Sequence, residues 1–296
     1  MLTSKVKKMK PIDRFFYWIK ERNKIYLKRK KGIIKPWTDD EVLQNNFFTN
    51  PYRENDKTTQ WFRKYIRDPL KDSPKVVFAT ICFRWFNLPH PTGEMLVCEG
   101  LTVKWNEANA KQLLKSLKDR GDRLFTGAYM IASSQGVPKY VNICDRLTEV
   151  WNNRHWMMGE LGADCSLENF QDTFVQFDGL GSFMAYEIVC DLRHTDILKD
   201  AYDVNTWCNV GPGATRGLYR IHEVPFDTDS NSYQLPPLEN ELDFITDLLD
   251  QANSSKSLWD LPIFELREIE HSLCEWDKYE RVLWDQGRSK RKYKGV

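Results

Sequence analysis

Apolar positions along this 296-residue chain recur mostly at three- and four-residue spacing, and strict alternation is scarce, so the pattern predicts a mainly helical protein. From Pro11 to Lys30, Phe15, Phe16, Trp18, Ile19, Ile25 and Tyr26 form a broad apolar side with bases opposite. Pro36-Trp37-Thr38-Asp39-Asp40-Glu41 reads as a helix start in which Thr38 and Glu41 make a capping box. Residues 54–67 and 74–87 are predicted helices, the second opened by Ser73-Pro74 with proline in the first turn. Pro89, Pro91 and Gly93 break the pattern, and Asn106 to Asp119 is a helix ended by Gly121. Residues 122–140 read as a short hairpin or a loop around Gly136-Val137-Pro138. Further helices are predicted over 141–158, 167–176, 182–193, 238–252 and 262–284, with a surface loop over 225–237. No repeat of fixed period is visible.

Composition narrows the class. Apolar residues make up 41% and aromatics 13%, too rich for a disordered chain, and the length suffices for a real core. No apolar run reaches the roughly 18 residues of a membrane span, and the first 35 residues are too charged for a secretory leader. Seven scattered cysteines without C-x-x-C spacing argue against a disulfide framework, a zinc site or an iron–sulfur cluster. The expectation is a soluble, cytoplasmic monomer with no metal and no cofactor.

A net charge of +1 conceals a segregation. Residues 1–35 carry 13 Lys/Arg against Asp13 and Glu21, and the tail from Gln286 carries five bases and no acid. Residues 222–285 hold 16 acids and four bases. Basic ends beside an acidic stretch suit a polyanion facing part of the surface, which requires the two ends to share a face; solvated termini would look the same. The expected organisation is a basic arm at 1–35, a helical core at 36–224 and a loop plus C-terminal helical extension at 225–296.

The segment from 166 to 218 carries the candidate chemistry. Ser166 caps a helix, Asp178-Gly179-Leu180-Gly181 turns the chain, and a second helix starts at Ser182. Glycines let such a turn approach a ligand closely, and the second helix's N-terminus suits a DNA phosphate. An ordinary helical hairpin has the same pattern. Asp203 lies 22 residues beyond Gly181. This layout resembles the helix–hairpin–helix DNA glycosylase superfamily, with the hairpin at 177–182. The resemblance implies a catalytic aspartate at Asp203. It also implies a monofunctional enzyme, because Phe183 stands where bifunctional members have a Schiff-base lysine. The alternative is that Asp203 caps the helix that follows.

A wider resemblance rests on Phe47-Phe48-Thr49-Asn50-Pro51-Tyr52-Arg53-Glu54-Asn55-Asp56, on 177–193, on Asp203 to Leu218 with Gly211-Pro212-Gly213, and on Cys274-Glu275, Lys278-Tyr279 and Arg291-Lys292-Tyr293. These blocks look like the alpha-glutamyl/putrescinyl thymine pyrophosphorylase family, also seen as the helical domain of hydroxymethyldeoxyuridine DNA kinases. The resemblance implies a partner of double-stranded DNA carrying modified bases. The leading expectation is hydrolytic excision of a bulky modified base, such as glucosylated hydroxymethylcytosine, from phage DNA in antiphage defence, since Asp203 has the spacing and no kinase motif is present. The alternative is displacement of pyrophosphate from pyrophosphorylated hydroxymethyluracil by an amine or amino acid. A DNA-binding module without catalysis is the third reading. No G-x-x-x-x-G-K-[ST] is present, so ATP use is not expected, nor is a membrane partner.

Around an extruded base, Gln44, Asn45, Asn46, Tyr52, Arg53, Glu54, Asp56 and Asn205 are the candidate pocket, with Tyr52 stacking and Arg53 or Glu54 reading the base edge. Arg53 and Asp56 are also spaced to pair with each other, as i and i+3 on a helix. Candidate DNA contacts are Gly179, Gly181, Ser182, Gly211, Gly213 and Arg216, the last three as an anion nest with its arginine or as a plain loop-to-helix junction.

Overall fold

The computed structural model describes residues 2–127, 136–226, 235–288 and 292–293. The expected loop at 225–237 and the expected hairpin or loop at 122–140 lie partly outside these residues, and so does most of the basic tail. Among the described residues the regular structure is helical, with no strand. In chain order the helices are α1 (Leu2–Lys7), α2 (Pro11–Lys30), α3 (Glu41–Asn45), α4 (Lys57–Phe62), α5 (Asp68–Leu70), α6 (Lys75–Phe86), α7 (Glu94–Cys98) and α8 (Glu107–Asp119). They continue as α9 (Lys139–Asn152), α10 (Arg154–Leu161), α11 (Leu167–Phe174), α12 (Ser182–Leu192), α13 (Pro212–Ile221), α14 (Glu241–Ser254) and α15 (Leu266–Leu283). No helix is long and apolar enough to cross a membrane among the described residues.

Several boundaries differ from the pattern for local reasons. The capping box at Thr38 does not form. Asp40 is the N-cap of α3, accepting from the Leu43 N–H at 3.0 Å, while the Thr38 hydroxyl donates to Glu21 at 3.0 Å. The helix expected over 54–67 is a 3-10 turn (Arg53–Asn55), an extended Asp56, α4 and a π-helical turn (Arg63–Arg67). Asn153, with φ −93° and ψ 8°, divides the helix expected over 141–158 into α9 and α10.

The chain forms two compact units, and they do not follow the linear division at 35 and 224. One unit joins residues 1–56 to 205–296, and the other is 57–204. In the first unit α2 packs on α13 and α15, so the N-terminal arm and the C-terminal extension share one core. Phe15 meets Trp276 edge to face, and Trp18 meets Phe48 the same way. The bases of α2 are not all opposite its apolar side. Arg14 and Arg22 lie buried within it. Arg14 reaches Glu280 through two bonds of 3.1 and 2.9 Å, and Asp40 accepts from both Tyr279 and Tyr17 at 2.7 and 3.2 Å. α13 and α15 cross closely because Gly213 and Gly217 leave room: a Cβ on Gly213 would lie 2.3 Å from the Cys274 sulfur, and one on Gly217 2.8 Å from the Leu273 carbonyl.

In the second unit α6 is the central helix, with every residue from Val76 to Phe86 buried. It carries one charge into that core. Arg84 donates to both oxygens of Asp191 on α12, at 2.5 and 2.9 Å, and to Asn87 and Thr59 at 2.9 and 3.2 Å. Its guanidinium lies 5.0 Å from the Phe62 ring centre.

Two measurements follow. Asp191→Ala strands the Arg84 charge, and thermal unfolding should show a loss of about 3–5 kcal/mol, whereas the double change Arg84→Met/Asp191→Leu should be far milder. The second concerns Glu275. Burial alone would raise its carboxyl, but Lys278, His271 and the Thr49 N–H hold it at about 2. The folded value lies below the unfolded one of about 4.3, so its contribution is present above that pH and is lost as pH falls toward 2. Glu275→Gln should therefore melt lower at pH 7 and lose less than the parent between pH 5 and 2.

Candidate functional site

The expected pair of helices joined by a glycine turn is present in the second unit as α11, the turn at 178–181 and α12. Ser166 caps α11, accepting from the Asn169 N–H at 3.1 Å. Gly179 takes φ +81°, which other residues adopt only under strain, and its carbonyl accepts from the Trp85 indole at 3.3 Å. Arg146 closes the outside of the turn through Asp178 at 2.8 Å. Leu180 is fully buried, while Gly181, Ser182 and Phe183 are exposed. Among the described residues, none other than its two chain neighbours comes within 4 Å of where a Gly181 Cβ would be, so the backbone at the start of α12 is approachable. Phe183, expected in the place of a lysine nucleophile, is 57% exposed.

Asp203 sits in a turn of the same unit and is 4% exposed. Its two carboxylate oxygens accept from the Leu167 and Glu168 N–H groups at 2.8 and 3.1 Å. With Ser166 on Asn169, the first three N–H groups of α11 are all satisfied. Asp203 is therefore a capping residue, but not of the helix that follows it. It caps the first helix of the hairpin motif, 36 residues upstream. The same bonds orient the carboxylate rigidly with respect to that motif. Each oxygen accepts one of these bonds and has a further lone pair.

The expected base pocket belongs to the first unit and is largely occupied by the protein's own contacts. Gln44, Asn45 and Asn46 donate their amides to the carbonyls of Thr38, Glu41 and Val42 at 2.7, 2.8 and 2.9 Å. Tyr52 is buried, stacked on Phe264 at 5.1 Å, and its hydroxyl donates to the Pro262 carbonyl at 2.5 Å. That stacking replaces the expected stacking on a base. Arg53, Glu54 and Asp56 are half-buried on and beside the 3-10 turn, and Asn205 is exposed in the turn after Asp203.

The expected anion nest at 211–216 is corrected. The Gly211 N–H donates to Glu270 at 3.2 Å, so the start of α13 already faces a carboxylate of this chain. Gly213 is buried against Cys274 and serves the helix crossing. Arg216 donates to Asp277 at 3.0 Å, and Arg220 and Arg281 reach the same fully buried carboxylate at 2.9 and 3.3 Å. Burying a carboxylate demands such partners, and Arg216 is one of them. Among the described residues no group of three His, Cys, Asp or Glu comes together to hold a metal.

Two features of the first unit had a weaker signal in the sequence. Arg22 falls on the apolar stripe of α2, in step with Phe15, Trp18 and Ile25, and is 3% exposed. Tyr293, in the basic tail, lies against Trp37 and Phe47 with ring centres 5.4 Å from each.

Separating the cap from chemistry at Asp203 needs two substitutions. Asp203→Asn keeps one acceptor but turns its amide toward a backbone N–H, so it should cost about 1 kcal/mol in thermal unfolding. Asp203→Ser, whose one oxygen stops short of both donors, removes the cap and the charge together and should unfold below the asparagine variant. Activity lost in the folded asparagine variant marks a chemical role, and activity retained in the less stable serine variant marks a cap alone.

Comparison with known proteins agrees with the four sequence blocks. The family model described as "5-hmdU DNA kinase, helical domain" matches residues 9–289. A 5-hmdU DNA kinase of Bacillus phage SP10 is 27% identical over 229 residues, covering 71% of this chain and 36% of the relative. The chain thus matches only about a third of that relative's length. No solved structure matches. With nearly the whole chain inside the family model, the protein belongs to the 5-hmdU DNA kinase helical-domain family.

Proposed function

We propose that this protein is a transferase of DNA hypermodification: it acts on DNA carrying pyrophosphorylated hydroxymethyluracil and replaces the pyrophosphate with an amine or amino acid. The observation that carries this reading is the family match over 9–289, to the helical domain of proteins named for 5-hmdU DNA. No phosphate-binding G-x-x-x-x-G-K-[ST] occurs in the sequence, so phosphate transfer from ATP is not part of the proposal for these residues.

The chemistry sets what the site must supply. The nitrogen lone pair attacks the methylene carbon on the base. The bond from that carbon to the pyrophosphate oxygen breaks, pyrophosphate leaves with the electron pair, and the nitrogen loses a proton. Positive charge grows on the carbon as the bond stretches, and a fixed carboxylate stabilises it without reorganising. Asp203, oriented by two N–H donors beside the hairpin, is the carboxylate we assign to that task. The exposed turn at Gly181 to Phe183 is assigned to the DNA backbone.

The test uses purified protein, DNA bearing hydroxymethyluracil or its pyrophosphorylated form, and glycine or putrescine. Products are digested to nucleosides and read by mass spectrometry. The expected result is an amine adduct formed only on the pyrophosphorylated DNA, with stoichiometric pyrophosphate. A free base released without any amine would replace this reading with hydrolytic excision. Unchanged nucleosides together with tight DNA binding would leave a binding module.

A further inference from the structure

The two basic ends of the chain meet. Arg29, near the end of α2, has its guanidinium 5.1 Å from the ring centres of both Trp37 and Tyr293. Lys35 lies 5.2 and 5.8 Å from the same two rings. Neither Arg29 nor Lys35 pairs with a carboxylate among the described residues. Lys30, Lys31 and Lys292 are exposed nearby in the chain, so both basic segments supply the cluster.

Beneath it lies an unmet demand. Arg22 is 3% exposed and lies 5.7 Å from the Phe47 ring centre. Its Nε donates to the Phe48 carbonyl at 2.7 Å, but its Nη1 is buried with no partner among the described residues. The same holds for the Tyr293 hydroxyl. The two groups are close enough that each acts on the other's charge. The phenol oxygen could accept from the guanidinium, but no such bond forms, so the Nη1 N–H and the phenol O–H each lack an acceptor among the described residues. A water molecule would answer the two buried atoms but not the unpaired charges of Arg29 and Lys35. An anionic oxygen answers all four.

We propose that Arg22, Arg29, Lys35 and Tyr293, framed by Trp37 and Phe47, bind a backbone phosphate of duplex DNA. The proposal takes from the preceding section only that DNA is the partner. Duplex DNA rather than a lone phosphate is favoured because the exposed Lys30, Lys31 and Lys292 extend the cluster, and a duplex presents roughly one charge per 1.7 Å to such a group.

The experiment measures binding of an unmodified 20-base-pair duplex by fluorescence anisotropy from about 50 to 200 mM salt. Arg29→Ala/Lys35→Ala should weaken binding and make the slope of log affinity against log salt shallower by about 2. Tyr293→Phe, which removes only the hydroxyl, should weaken binding several-fold with an unchanged melting temperature. Lys115→Ala, which removes a surface lysine paired with Asp119, should change neither the affinity nor the slope by more than one contact. An unaltered slope in the folded double variant overturns the proposal, as does protection of the cluster by inorganic pyrophosphate alone with no binding of the duplex. Because the DNA carries no modified base, a failure here leaves the transferase reading standing. Failure of the transferase assay likewise leaves this surface untouched.

Discussion

A charge removed from water must find its partner inside the protein, and in this chain most of the partners lie far apart in sequence. Asp191 is held by Arg84, Glu280 by Arg14, Asp40 by Tyr279 and Tyr17, and Asp277 by Arg216, Arg220 and Arg281. Pairs of this kind add little net stability over a well-packed apolar alternative, but breaking one is costly. They therefore act mainly as registration. A helix that slid by one turn would strand a buried ion. The glycines at 213 and 217 belong to the same scheme, since only without a Cβ do α13 and α15 come close enough for Asp277 to lie among its arginines.

The same constraint explains why several candidate ligand groups turned out to be committed. Gly211 offers its N–H to Glu270, Arg216 to Asp277, and Gln44, Asn45 and Asn46 to nearby carbonyls. A polar side chain that becomes half-buried takes the nearest acceptor before any substrate arrives. Against that background the exceptions carry information. Among the described residues Arg22 Nη1 and the Tyr293 hydroxyl are two such exceptions, buried without a hydrogen-bond partner beside cations that have no carboxylate. Asp203 shows the opposite case, a group whose structural role and whose assigned chemical role use the same carboxylate. The cap holds it, and being held is also what a preorganised charge requires.

Much of the fold was legible because it depends on local physics. The periodicity of α2, the Asn106 cap with Gly121 closing α8, the Ser166 cap and the Gly179 turn each depend on a few neighbouring residues. The family, too, was readable, since four blocks in order are a property of the chain itself. The boundaries that shifted did so where two local rules competed. Asp40 out-competed Thr38 as the α3 cap once the Thr38 hydroxyl had Glu21 within reach.

Tertiary structure alone decided which ends share a core. Composition placed strong positive charge at both ends, but charge along a chain does not specify distance in space. Packing of α2 on α13 and α15 joined residues 1–56 to 205–296, and so brought Tyr293 to Arg29. It also decided the meaning of Asp203. Spacing marked that residue as important and offered a cap or a catalyst, yet the helix it caps lies 36 positions back. A sequence states which donors and acceptors exist and how they recur within a turn or two of helix. Which of them meet across the core is settled only when burial withdraws water and every remaining group must be answered by another.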